Sequence, residues 1–148
     1  MDSLELAPFL LRKATPRMKT PRSILVVNSD PMGLRGTVGV LQSAGYEVDA
    51  VRTFADARSR LDSTPPDLLM TGVRLGPYNG LHLIVRSRKQ LPRMATILTH
   101  DESDPVLLTE AATNDAAFLV LPCQPALILQ IVEESLERCG NLPERKYC

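Results

Sequence analysis

The chain has 148 residues, 44% apolar and 23% charged, with a formal net charge of zero. That suffices for one domain with a real core, is too short for two ordinary ones, and is too apolar for a disordered chain. Neutrality gives no global reason to expect a nucleic acid or an anionic membrane as partner, so neither is expected. The charge is uneven, because Arg12, Lys13, Arg17, Lys19 and Arg22 against Asp2 and Glu5 give residues 1–22 a net +3 and leave −3 for the rest. This basic stretch reads as a solvated, flexible leader before a mildly acidic body. Cys123, Cys139 and Cys148 are odd in number and lack C-x-x-C spacing, which suits a reducing, cytoplasmic compartment better than a disulfide framework. The apolar run Leu6 to Leu11 is too short and interrupted to span a bilayer, and it lacks the flanks of a signal peptide.

From Ser23 onward short β-rich runs alternate with longer helical patterns. Ile24-Leu25-Val26-Val27 is a continuous apolar run, the mark of a strand covered on both faces. Residues 32–44 read as a helix, with Val38, Leu41 and Ala44 at helical spacing and Gly45 as its stop. Glu47 to Val51 is the second strand, and Thr53 reads as the N-cap of a helix reaching Leu61. Pro65-Pro66 ends that helix, since neither residue can continue it. Asp67 to Thr71 is the third strand, and Gly72 to Asn79 a loop of turn formers. Gly80 opens a helix whose face carries Leu81, Ile84, Val85 and Leu91. Ala95 to Thr99 is the fourth strand, followed by a helix capped by Asp101 or Ser103 and running through Ala112. Ala117 to Leu121 is the fifth strand. Pro125 suits the first turn of the last helix, where its missing N–H costs nothing. Leu127, Ile128, Ile131, Val132, Ser135 and Leu136 form its buried stripe, and Gly140 ends it.

Five strand–helix units in succession imply a parallel sheet with helices on both faces, because parallel strands need crossover connections. Such a doubly wound α/β sheet carries its functional crevice at the carboxyl ends of the strands. The loops that matter are therefore 28–32, 72–79, 99–104 and 121–124. They hold no G-x-G-x-x-G fingerprint, no phosphate-binding G-x-x-x-x-G-K-[ST] loop and no G-x-S-x-G elbow.

At these loops the chain resembles the receiver domain of two-component response regulators, over residues 22–139. Ile24 to Val27 with the polar triplet before Pro31 resembles the first strand and its acidic loop. Gly45-Tyr46-Glu47-Val48 resembles the start of the second strand. Pro66-Asp67-Leu68-Leu69 and Asn79-Gly80-Leu81 bracket the phosphoacceptor loop. Leu98-Thr99 matches the switch position, and Phe118-Leu119 with Pro122 matches the fifth strand. The resemblance implies a flavodoxin-like (βα)5 three-layer sandwich with parallel strand order 2-1-3-4-5, occupying residues 23–139 between the leader 1–22 and a short tail 140–148.

In that family a pair of acidic residues holds Mg²⁺, an aspartate accepts the phosphoryl group, and a Thr or Ser and a Lys bind its oxygens. Carried over residue by residue, the acidic pair falls on Asn28 and Ser29, the acceptor on Gly72 and the lysine on Leu121. Thr99 remains, with Phe118 at the aromatic switch position. Mg²⁺ gives up water reluctantly and needs carboxylates to be held. Losing nucleophile, metal ligands and cation together leaves little to catalyse with. The expectation is a degenerate receiver, or pseudo-receiver: not an enzyme, without metal or other cofactor, acting by protein–protein interaction.

Other residues carry competing readings. Asp30 is read as a helix cap after its strand rather than a substitute acid, although Asp30 or Asp101 would be the displaced acceptor if phosphorylation persisted. Asp67 sits at the far end of its strand and is a poor acceptor. His100, Cys123 and Asp30 lack metal-ligand spacing. A small-ligand or enzymatic role in the crevice rests on fold analogy alone. By the resemblance, a homodimer or protein partner would use the face of the fourth helix, fifth strand and fifth helix, about 103–112, 117–121 and 125–138. Gln130, Glu133, Glu134 and Glu137 line its polar side. The residues after Gly140 are too few for an output domain, so the effector is expected on a separate chain.

Overall fold

The structure is a computed structural model and describes residues 21–140. The elements in order are β1 (Ser23–Val27), α1 (Pro31–Ser43), β2 (Glu47–Val51), α2 (Phe54–Ser63), β3 (Leu68–Gly72), the short strands β4 (Arg74–Leu75) and β5 (Tyr78–Asn79), α3 (Leu81–Gln90), β6 (Ala95–His100), α4 (Pro105–Thr113), β7 (Ala117–Val120) and α5 (Pro125–Gly140). The main sheet has five parallel strands in the order β2-β1-β3-β6-β7. Setting aside the small β4–β5 hairpin, that is the expected order 2-1-3-4-5.

The apolar run of β1 divides between two cores. Ile24 and Val26 point to one face of the sheet, where Leu34, Leu41, Ile128, Val132 and Leu136 of α1 and α5 cover them. Leu25 and Val27 point to the other, under Ala57, Leu61, Leu83, Ile84 and Ala111 of α2, α3 and α4. Period-two alternation on a strand buried on both sides requires an unbroken apolar sequence. β2 is an edge strand, and of its side chains only Val51 is buried.

Local signals set most helix ends. The Thr53 side chain accepts from the Asp56 N–H and caps α2. Gly45 follows α1 with φ +96°, a left-handed conformation that favours glycine, and its N–H donates to the Gln42 carbonyl. Four expectations need correction. The cap of α4 is Asp104, not Asp101 or Ser103: its carboxylate accepts from the N–H groups of Val106 and Leu107. The stretch 72–79 is no plain loop, because Arg74–Leu75 pairs antiparallel with Tyr78–Asn79 around Gly76 at φ +65°. Val85 is exposed and Leu83 takes its place in the core of α3. Leu127 is also exposed, so the buried stripe of α5 begins at Ile128 and runs on to Cys139.

Cys123 is a free thiol, whereas Cys139 takes part in a disulfide, which corrects the all-thiol reading at that position. Among the described residues no helix is long and apolar enough to cross a membrane. The basic leader lies almost wholly outside the described residues; its last member, Arg22, pairs with Asp67 at 3.7 Å.

Candidate functional site

The carboxyl ends of β1, β3, β6 and β7 surround a cleft of about 690 Å³. At the end of β1 the polar side chains are committed to the backbone. Asn28 Oδ1 accepts from the Asp30 N–H at 2.9 Å, and Asp30 Oδ2 accepts from the Gly33 N–H at 3.1 Å. Asp30 is thus the N-cap of α1, with Pro31 in its first turn, as its sequence position implied. It also lines the cleft. Ser29 Oγ donates to the Arg74 carbonyl at 3.1 Å, tying this loop to the β4–β5 hairpin.

At the end of β3, Gly72 stands in register with Thr99 of β6. A Cβ built on Gly72 would lie 3.7 Å from Thr99 Oγ1 and 3.7 Å from the Val27 carbonyl oxygen, an ordinary contact distance. Position 72 therefore faces the cleft and has room for a side chain it does not carry. Gly80 is the opposite case: a Cβ there would fall 1.9 Å from the Gly72 carbonyl oxygen. Its N–H donates to the Val73 carbonyl at 2.7 Å, so the start of α3 is pressed against the end of β3. Thr71 is fully buried and its hydroxyl donates to the Gly72 carbonyl.

Thr99 is 4% exposed, and its hydroxyl has no hydrogen-bond partner among the described residues. His100 Nδ1 lies 3.6 Å from Asp101 Oδ1, an ion pair only when the imidazole is protonated. Leu121 donates its N–H to the His100 carbonyl at 2.8 Å and packs on the α1–α5 core. The Leu121–Pro122 peptide is cis. Burial pushes the Cys123 thiol above its ordinary pKa.

The carboxylates lining the cleft are those of Asp30 and Asp101. Asp30 holds the helix cap, the oxygen of Asn28 is turned to backbone, and Gly72 offers nothing. This donor set does not fit Mg²⁺, which binds through carboxylates in near-octahedral geometry. His100, Cys123 and Asp30 all line the cleft, yet no group of His, Cys, Asp or Glu among the described residues could hold a metal ion.

The remaining sequence candidates lie elsewhere. Phe118 is half-buried against the core beneath α2, α3 and α4. Gln130, Glu133, Glu134 and Glu137 are exposed on α5, where Gln130 Nε2 donates to Glu134 Oε2 at 3.1 Å. Glu133 is near enough to Tyr46 to raise its pKa, second to burial and against the opposing pull of Arg22. That places Glu133 on the α1 side of the helix. Asp67 accepts from the Ser23 N–H at the amino end of the sheet, remote from the cleft. Sequence reasoning missed Gly36, Thr37 and Val40 as cleft residues, whereas Arg74 falls in the marked loop 72–79. The first three carried a signal, since they extend the α1 face that begins at Gly33, but no motif marks them.

Residues 24–133 match the family model described as the response regulator receiver domain. The chain is 30% identical over 115 residues to the alginate biosynthesis transcriptional regulatory protein AlgB of Pseudomonas putida, covering 77% of this chain and 26% of that protein. It is 26% identical over 129 residues to the transcriptional regulatory protein GlrR of Escherichia coli K12, covering 86% of this chain and 29% of that protein. The chain thus spans under a third of the length of these relatives. In fold it is similar to a CheY-like response regulator receiver domain protein from Methanospirillum hungatei, with TM-score 0.76, 22% identity and coverage of 82% and 98% of the two chains. The beryllofluoride-activated NtrC4 receiver domain dimer gives TM-score 0.73 at 18% identity, covering 79% of this chain and 98% of that one. The cleft at the strand ends, the doubly wound sheet and the sequence match agree: this chain belongs to the response regulator receiver domain family.

Proposed function

We propose that this receiver domain works without an aspartyl phosphate, as a cytoplasmic pseudo-receiver that signals by protein–protein contact and is not an enzyme. The observation that carries the reading is Gly72, which faces the cleft beside Thr99 with room for a carboxylate and none present. The surrounding changes are mutually consistent. Neutral Asn28 and Ser29 turn their side-chain oxygens to the backbone of Asp30 and Arg74, and Leu121 adds to the apolar core where a lysine would be an unpaired charge.

With the chemistry gone, selection acts on surfaces. The face of α4, β7 and α5 is the one proposed, for a second copy or a protein partner. β7 is an edge strand, and exposed apolar side chains flank it: Val106 and Leu108 on α4 and Leu127 on α5. Leu127, Gln130 and Glu134 form one stripe on α5, with Glu137 beside it. The relatives are transcriptional regulatory proteins, so the contact is proposed to control transcription.

Acetyl phosphate or beryllofluoride with Mg²⁺ tests the reading. The expected result is no mass shift and no change at the amides of residues 28, 29 and 72. A phosphoryl adduct would overturn it. An adduct mapped to Asp30 or Asp101, both in the cleft, would establish a displaced acceptor instead.

A further inference from the structure

We infer that the cleft is a binding site for an uncharged amphiphile, a molecule with a carbonyl acceptor at one end and a short aliphatic body. The cleft does not stop at the strand ends. It runs on into a groove between α1 and α5, walled by Gly36, Thr37 and Val40 on one side and Ile128 on the other. A Cβ on Gly36 would meet nothing within 4 Å, so the α1 backbone is bare along this slot. The cleft's volume, about 690 Å³, is of the size that small-molecule sites have.

Its polar groups call for an acceptor. Thr37 and Thr99 are 5% and 4% exposed, and neither hydroxyl has a hydrogen-bond partner among the described residues. A helical threonine commonly donates to the carbonyl four residues back, as Thr113 does to Thr109 at 2.9 Å. Thr37 does not, and burying an unpaired hydroxyl is unfavourable until something bonds it. Asn28 has its oxygen occupied by the Asp30 N–H, which leaves its amide nitrogen as a donor. A carbonyl oxygen beside Thr99 would give its hydroxyl the acceptor it lacks.

An ion suits this lining poorly. An anion would face the carboxylates of Asp30 and Asp101, which outnumber Arg74, and an ammonium cation has only donors to offer the threonine hydroxyls. Apolar side chains supply the rest. Leu121, Val40 and Ile128 line the interior, and Met32, 73% exposed, stands at the rim where an aliphatic body would cover it. Binding here is independent of whether the domain signals through the α4–β7–α5 face.

Octanamide is the probe, titrated into the full ¹⁵N-labelled chain with octanoate and inorganic phosphate as comparisons. Saturable shifts are expected at the amides of Gly36, Thr37, Gly72 and Thr99, with octanoate roughly tenfold weaker and phosphate without effect. Octanamide should also slow alkylation of Cys123, which lines the same cleft. Gly36→Leu should fill the slot and abolish binding. Thr99→Val should weaken it roughly tenfold with an unchanged thermal melt. Absence of saturable shifts, shifts outside the cleft, octanoate or phosphate binding as tightly, or Thr99→Val binding like the natural protein would each overturn the inference.

Discussion

Gly72, Gly80 and Gly36 are the same residue type with three different reasons for it, and the space around each decides what a substitution does. Gly72→Asp fits, since its Cβ would sit 3.7 Å from its neighbours. Alone it should label little with acetyl phosphate, because metal ligands, nucleophile and cation act as a unit. The combined Asn28→Asp, Ser29→Asp, Gly72→Asp, Leu121→Lys variant should recover measurable aspartyl phosphate by mass spectrometry. Equal labelling of the single variant would refute the account of a site dismantled as a whole. Gly80→Ala has no such room, because its methyl would fall 1.9 Å from a backbone oxygen. It should cost about 1–3 kcal/mol in urea unfolding. Gly36→Ala, with open space around it, should instead stabilise α1 by about 0.5–1 kcal/mol. Cys123 adds a pH dependence. Its thiol pKa is raised by burial, so the unfolded chain ionises first as pH climbs. The folded state then binds more protons, and its stability falls with rising pH through the alkaline window above the ordinary thiol pKa. Alkylation of Cys123 should accordingly be slow at neutral pH, with its rate profile displaced to higher pH than that of a free cysteine. An undisplaced profile would show that the thiol is solvated.

Elements follow local signals where those signals have no rivals. Thr53 was readable as the cap of α2, whereas at the start of α4 Asp101 and Ser103 were read as caps and the structure uses Asp104. Asp104 prevails because Pro105 follows it, and proline suits the first turn of a helix. Asp104→Ala should cost about 1 kcal/mol by thermal or chemical unfolding, whereas Asp101→Ala should leave stability nearly unchanged. The stripe of α5 was legible apart from Leu127, which falls on the exposed stripe with Gln130 and Glu134 while Ile128 beside it is buried. If the α4–β7–α5 face is the working surface, Glu134→Arg with Glu137→Arg should weaken association in sedimentation or pull-down measurements without lowering the melting temperature. Glu133→Arg is the comparison, since Glu133 lies toward Tyr46 on the α1 side. Equal loss from both would place the contact elsewhere.

For the whole molecule, the sequence by itself determined the architecture. Alternating strand and helix periods require crossovers, and the unbroken apolar strands require two covered faces, so the doubly wound sheet and its two cores were readable in advance. The places of Asn28, Gly72, Thr99 and Leu121 around one crevice followed from resemblance to a known frame. Tertiary structure alone decided what the crevice is made of. Its walls come from segments as far apart as Asn28 and Ile128, and no local pattern records that Gly36 and Thr37 of α1 share a groove with α5. Nor could spacing show that Gly80 is required by the carbonyl of Gly72, or that 72–79 closes as a hairpin bonded to Ser29. Periodicity reports which face of an element is apolar, because that depends on neighbours along the chain. Which atoms meet across the strand ends depends on register and on helix approach, and both are set only when the sheet and its two helical layers pack together.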